Sequence, residues 1–371
     1  MRLPFRGRIP AQASSARRPW RGAGRQVAQP IERSRTMERR TFLKAAGHLA
    51  AGYALGSRLA PALYAAETAT DEPALPRRVV GTTSMKASIV GFPGLGLIHH
   101  EQPECTALVH KAFEQGVNYF DVAPAYGNGD AETKMGIGLQ GLPRDRYYLA
   151  CKTKMRDAKG AREELEQSLR RLKTDHFDVY QMHHLRRPEE VEQAFGPDGA
   201  MEVFHQARQE GKVRFFGFSA HTTKAALLAM EKFRFDTVMF PINYIEYFKI
   251  GFGKPVLELA RKQGLGVLAI KPMCGGAWPP GAPRSRQWWY RPLEDPQDIS
   301  MALRFTLSQE PVAVGFPPGW LDLAEKAVQV GRAYRPITEP ETDKLRQMAT
   351  AALSIFEREE QQVALGKTGP A

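Results

Sequence analysis

Cysteine is scarce in this 371-residue chain, and the three present, Cys105, Cys151 and Cys274, are widely spaced. An odd number at such spacing gives neither a disulfide framework nor the paired CxxC units of a zinc or iron–sulfur site, so they read as structural thiols. A bilayer-spanning run is also missing, because the most apolar early stretch, residues 45–55, is too short. No GxGxxG follows the first strand candidate, and Gly94, Gly96 and Gly127 match neither a Rossmann turn nor a Walker loop. No internal sequence repeat is evident. The ends of the strand candidates lack paired histidines or carboxylates at ligand spacing, which argues against a metal-dependent hydrolase.

The formal net charge of +12 suggests an anionic partner until its distribution is read. Residues 1–44 hold 12 arginines and lysines against Glu32 and Glu38, and Arg58 adds one more, so the chain from Leu59 onward carries only +1. A near-neutral body without a basic stripe is a poor match to nucleic acid, whose binding requires many phosphates to be neutralised. The basicity belongs to the leader.

Residues 1–36 are rich in Arg, Pro, Gly and Ser and have neither helical nor strand periodicity, so they are expected to be disordered or untranslated. Met37 is followed by Glu38-Arg39-Arg40-Thr41-Phe42-Leu43-Lys44 and then by a weakly apolar segment containing Gly47, Gly52 and Gly56. The segment 37–66 resembles a twin-arginine export signal, a receptor-read address, and implies a periplasmic or exported protein whose partner is the twin-arginine machinery. Ala60 and Ala62 fit a cleavage site, with Ala65 and Ala66 as competitors. No stable membrane span is expected.

With 43% hydrophobic and 25% charged residues the chain has the balance of a globular protein with a sizeable core. From Val79 onward, short β-branched runs alternate with helical patterns of about 10–15 residues, the signature of βαβ units. The strand candidates are 88–92, 118–122, 147–151, 177–182, 213–218, 237–241, 266–270 and 312–316. The helical patterns centre on 108–113, 132–139, 161–172, 203–209, 224–233, 256–262, 299–307 and 321–330. This fits one α/β domain, a (β/α)8 TIM barrel over 77–335 with a C-terminal helical extension over 336–371; an open doubly wound sheet is the other candidate.

In such a barrel, chemistry sits where the strands end. Asp121 ends the second strand candidate, Tyr126 follows by five residues, Lys152 ends the third and His183 the fourth. A Lys ammonium beside a Tyr hydroxyl makes the phenol a better acid, an Asp paired to the Lys keeps that cation charged away from water, and an imidazole polarises a carbonyl oxygen. Lys154 competes with Lys152, and His184 with His183, for these places. His221 faces the same rim and reads as a loop histidine.

The stretch Asn118-Tyr119-Phe120-Asp121-Val122-Ala123-Pro124-Ala125-Tyr126-Gly127, with Glu132 and Gly136 after it, resembles the aldo/keto reductase signature. Tyr148-Leu149-Ala150-Cys151-Lys152-Thr153 is similar to the family's lysine-bearing strand, and residues 168–183 to the segment leading to its histidine. Gly217-Phe218-Ser219 is similar to the end of its fifth strand. The resemblance covers about 77–335. It implies Tyr126 as proton donor, Asp121 and Lys152 as its tuning pair, His183 as orienting residue, and Ser219, Asn243 and Gly315 as cofactor contacts. It also implies a nicotinamide dinucleotide bound without a Rossmann turn and a small carbonyl or sugar-like substrate. NADPH is the usual cofactor of the family. The apolar run Gly315-Phe316-Pro317-Pro318-Gly319-Trp320 stands where many members grip the ribose phosphate with cationic and polar residues, which leaves NADH open.

A long Gly-hinged loop, from Met273 through Trp278 to Trp288, Trp289, Tyr290 and Arg291, suits closure over a ligand or packing upon itself. A ligand- or cofactor-binding protein on a reductase scaffold is the alternative to an enzyme. Changing Arg39 and Arg40 together to Lys preserves charge while spoiling the address. The expected outcome is a folded precursor retained in the cytoplasm, read by fractionating a host with a working twin-arginine pathway; equal export of the double variant contradicts the export reading.

Overall fold

The computed structural model describes residues 73–367. The readings made for 1–36 and for the twin-arginine segment 37–66 lie outside the described residues. A short antiparallel hairpin, β1 (Arg77–Val79) with β2 (Lys86–Ser88), precedes eight parallel strands in sequential order. These are β3 (Phe92–Pro93), β4 (Tyr119–Asp121), β5 (Tyr148–Thr153), β6 (Phe177–Leu185), β7 (Val213–Ala220), β8 (Thr237–Pro241), β9 (Gly266–Ile270) and β10 (Val312–Phe316). The circle closes through the parallel bridge Val90↔Gly315, where Gly91 N–H donates to Gly315 O at 3.1 Å and Gly315 N–H to Ile89 O at 2.8 Å. The protein is a (β/α)8 barrel.

The helices are α1 (Gln102–Glu114), α2 (Asp130–Gly138), α3 (Ala158–Leu172), α4 (Pro188–Phe195), α5 (Ala200–Gln209), α6 (Thr223–Lys232), α7 (Tyr244–Lys249), α8 (Lys254–Gln263), α9 (Pro296–Leu307), α10 (Leu321–Arg332), α11 (Glu339–Ala351) and α12 (Glu357–Ala364). Two apolar cores follow from the period-two alternation of the strands. Phe120, Cys151, Tyr180 and Phe216 point outward into the large core under the helices. Tyr119, Ala150, Val179 and Leu268 point inward and fill the barrel, with Val80, Met85 and Ala87 of the hairpin region packed among them. No helix among the described residues is long and apolar enough to cross a membrane.

The structure differs from the sequence expectation at the first strand. Residues 86–88 belong to the hairpin, and the barrel strand is reduced to Phe92–Pro93. Side chains explain the break: Ser88 N–H donates to Asn118 Oδ1 at 2.7 Å and Ser88 Oγ to Val90 O at 2.8 Å, drawing this stretch away from the regular ladder. The strands bearing Lys152 and His183 also continue past them, to Thr153 and Leu185.

Candidate active site

The same alternation that fills the barrel places polar groups at its C-terminal mouth. One residue beyond Phe120, Asp121 faces inward; one beyond Cys151, Lys152 does so; Gln181 and His183 follow from β6, and Ser219 from β7. Strand register sets Lys152 level with Gln181 on β6, while Asp121, level with Ala150 on β5, sits one inward-facing position before Lys152.

Lys152 and Asp121 form a buried ion pair, with Lys152 fully excluded from solvent. Lys152 Nζ also donates to Val122 O at 3.1 Å, and Gln181 Nε2 donates to the other carboxylate oxygen of Asp121 at 3.1 Å. Gly217 makes room for this arrangement, because a Cβ there would stand 2.3 Å from Thr237 Oγ1 and 3.0 Å from Gln181 Cγ. Burial disfavours the ammonium, but Asp121 and, adding to it, Tyr126 together outweigh this and hold the Lys152 pKa above its ordinary value. Burial lifts the Asp121 carboxyl against the pull of Lys152.

Tyr126 sits on the first turn after β4, half-buried, with Lys152 Nζ 5.2 Å from its ring centroid. Its pKa is raised by burial, with Asp121 adding to the rise and Lys152 opposing it. The lysine therefore restrains a pKa that burial drives upward. His183 meets the Tyr126 ring edge-on, centroids 5.6 Å apart at 86°. Burial, then the Lys152 charge, press the His183 pKa well below 6.5, so the imidazole is neutral at pH 7. Its Nδ1 is buried without a protein partner. Of the alternatives the sequence left open, Lys154 is exposed on the cavity wall and outside the Asp121 pair.

Asp121, Tyr126, His183 and Lys154 line an open cavity whose floor and walls include Met239, Ile270 and Phe316. Its mixed polar and apolar lining is of the kind that orients a small ligand. Ser219 is on the wall, and its Oγ accepts from His184 N–H at 2.7 Å. Asn243 is off the wall: it caps α7, with Oδ1 accepting from Glu246 N–H at 3.1 Å and Nδ2 buried without a protein partner. Gly315 is also off the wall, since its backbone closes the barrel and a Cβ there would face Leu303 and Leu307 of α9. Phe316, Pro317, Pro318 and Gly319 take its place beside the cavity.

The sequence reading missed Lys271 and Gln181 and discounted His221, and it left Trp289 as loop. Lys271 directly follows β9 on the wall, with Nζ 3.3 Å from His221 Nε2. Its signal was available, as a Lys at a strand end. His184 and His221 meet with ring centroids 4.3 Å apart at 85°, and burial lowers both pKa values, that of His184 to about 3.

The sequence matches the aldo/keto reductase family over residues 94–288. It is 27% identical over 235 residues to L-galactose dehydrogenase of Arabidopsis thaliana, covering 56% of this chain and 70% of that protein. It is 31% identical over 189 residues to 6-dehydroglucose reductase of Novosphingobium aromaticivorans, covering 47% of this chain and 60% of that one. Among solved structures, an aldo-keto reductase from Bacillus halodurans in its holo form superposes with a TM-score of 0.61 at 22% identity, over 77% of this chain and 99% of that one. With the barrel, its mouth and the matched stretch in agreement, the chain belongs to the aldo/keto reductase family of oxidoreductases.

Proposed function

We propose that the protein interconverts a carbonyl and an alcohol with a nicotinamide dinucleotide, Tyr126 exchanging the proton. The observation that carries this is the buried Lys152–Asp121 pair set beside Tyr126 and His183 at the cavity wall. The bound nicotinamide supplies the hydride. Ser219 Oγ on the wall and the apolar Met239 and Ile270 fit a carboxamide and a flat ring.

Tyr126 donates its hydroxyl proton to the carbonyl oxygen as negative charge develops there. Lys152 stabilises the phenolate that remains, and Asp121 keeps Lys152 charged. Neutral His183 offers a ring N–H that orients and polarises the oxygen without adding a second charge. The apolar Phe316-Pro317-Pro318-Gly319 wall offers no cation for a ribose phosphate, so both NADPH and NADH fit this reading. A sugar-like substrate is supported by the sugar names of two relatives. Export through the 37–66 segment completes the proposal and rests on the Arg39-Arg40 pattern.

Changing Tyr126 to Phe removes the proton donor and keeps the ring. The expected result is a loss of about 10²–10⁴ in kcat with cofactor affinity nearly intact, measured by NAD(P)H oxidation and by fluorescence titration. A Phe variant with unchanged kcat on a good carbonyl substrate contradicts the assignment.

Changing Lys152 to Met strands Asp121 in the interior and is expected to cost about 3–5 kcal/mol, seen as a lower thermal midpoint. Adding Asp121→Asn should restore the midpoint but not the reductase rate. A binding protein in which the pair is only structural would recover stability and ligand affinity together, so rate and midpoint measured on the three proteins separate the readings.

A further inference from the structure

Consecutive residues of a strand face opposite sides, yet His183 and His184 both line the cavity. The cause is an extra residue in β6. Between Met182, level with Phe218 on β7, and Leu185, level with Ala220, β6 advances three positions while β7 advances two. His184 takes up the difference in the left-handed region, at φ 62°. Met182 and Leu185 both reach the outer core as a result, and the two imidazoles between them turn toward the cavity. Bulges of this kind are frequent next to active sites, where they re-aim a side chain.

A bulge releases backbone groups from the ladder, and here side chains answer them. His184 N–H donates to Ser219 Oγ at 2.7 Å. The His183 and His184 carbonyls both accept from one nitrogen of Arg156, Nη2, at 2.8 and 3.4 Å. Arg156 stands on the loop after β5, and its surroundings tie that loop to the start of α5: Ala200 N–H donates to Arg156 O at 2.9 Å, and Ala158 N–H to Asp198 O at 2.7 Å.

Arg156 itself is poorly satisfied. Its side chain is 10% exposed, its ion pair with Glu190 is long at 3.8 Å, and that carboxylate also accepts from Arg186 N–H at 2.7 Å. Its Nε and Nη1 are buried without a protein partner. Taking a guanidinium out of water and leaving two donors unanswered is destabilising, so a cation held this way for two carbonyl oxygens calls for an explanation beyond packing. Arg156 is off the cavity wall, which places it behind the histidines and away from a ligand.

Resting on the reductase reading above, we infer that Arg156 is a positioning residue for His183: by holding the two carbonyls of the bulge it fixes the imidazole edge-on to Tyr126, where the ring meets the carbonyl oxygen of the substrate. The linkage is short, since Nη2 binds the backbone oxygen of the very residue whose ring centroid stands 5.6 Å from that of Tyr126. A donor aimed at developing charge is effective only when it is held in place beforehand, and a misplacement of about 1 Å costs on the order of 10² in rate.

The test is a double-variant cycle on the full protein. Arg156→Met keeps the stem and removes the guanidinium, and His183→Ala removes the ring that Arg156 aims. Arg156→Met alone is expected to lower kcat/KM for a good carbonyl substrate about ten- to a hundredfold. The NADPH dissociation constant is expected to stay within about twofold. On the His183→Ala background the same change is expected to cost less than about threefold, because the group it serves is gone. Arg156→Lys, which returns a charged donor, is expected to recover part of the loss, and it carries the cycle if the Met variant fails to fold. A second readout needs no substrate: in long-range proton–nitrogen correlation spectra the His183 ring signals, identified by their absence from His183→Ala, are expected to move in Arg156→Met while those of His110 on α1 stay.

Equal losses on the two backgrounds overturn the inference, since Arg156 then acts on the fold at large. Unchanged kcat/KM in Arg156→Met overturns it too, as does a fall in NADPH affinity that accounts for the loss. If the parent protein reduces no carbonyl tested, the reductase reading fails and the ring signals decide alone: movement of the His183 signals in Arg156→Met supports the positioning role, and unmoved signals overturn it.

Discussion

The mouth of the barrel is organised around one interaction, the ion pair between Lys152 and Asp121 in a place without water. Removing two charges from solvent is expensive, and their attraction offsets it only when geometry is good and the remaining polar atoms are satisfied. Here Val122 O takes a second Lys152 proton and Gln181 the second Asp121 oxygen. Strand register enforces both contacts, and a glycine at 217 leaves room for Gln181. The fold and the chemistry thus share one constraint: slippage of β5 by one residue would turn Lys152 outward into the helical layer and leave Asp121 alone.

From that pair the electrostatics of the cavity follow in order. A fixed cation under Tyr126 resists the rise that burial imposes on the phenol. The same cation, with burial, keeps His183 neutral. His184 and His221 are neutral as well, which leaves Lys271 as a buried positive charge facing a wall of uncharged rings. Cancelled at one end and unpaired at the other, the cavity charge is graded from the reacting centre toward the residues under the long loop and the C-terminal segment.

Much of this was legible in the sequence, for a physical reason. Parallel strands buried on both faces are nearly continuous apolar runs, so a polar residue at the end of one stands out, and Asp121, Lys152 and His183 did. The strands 237–241, 266–270 and 312–316 matched in full. What failed was non-local. The first strand was misplaced because side-chain bonds between Ser88 and Asn118, 30 residues apart, redirect it. α4 and α7 are short helices, 8 and 6 residues long, inserted within loops, where periodicity is weak. Gly315 and Asn243 were named from family position alone, and only the fold shows that the Gly315 backbone closes the barrel and that Asn243 caps a helix. Gln181 lies inside a strand, and only the register with β5 shows that it reaches Asp121.

On the proposed function, the cavity beside Tyr126 and Ser219 holds a nicotinamide dinucleotide. Native mass spectrometry of the purified, folded protein mixed with NADPH and NADH tests it directly, because it counts bound cofactor without requiring a known substrate. The expected spectrum shows one dinucleotide per chain. A folded protein that retains neither cofactor at concentrations well above the micromolar range would contradict the proposed function.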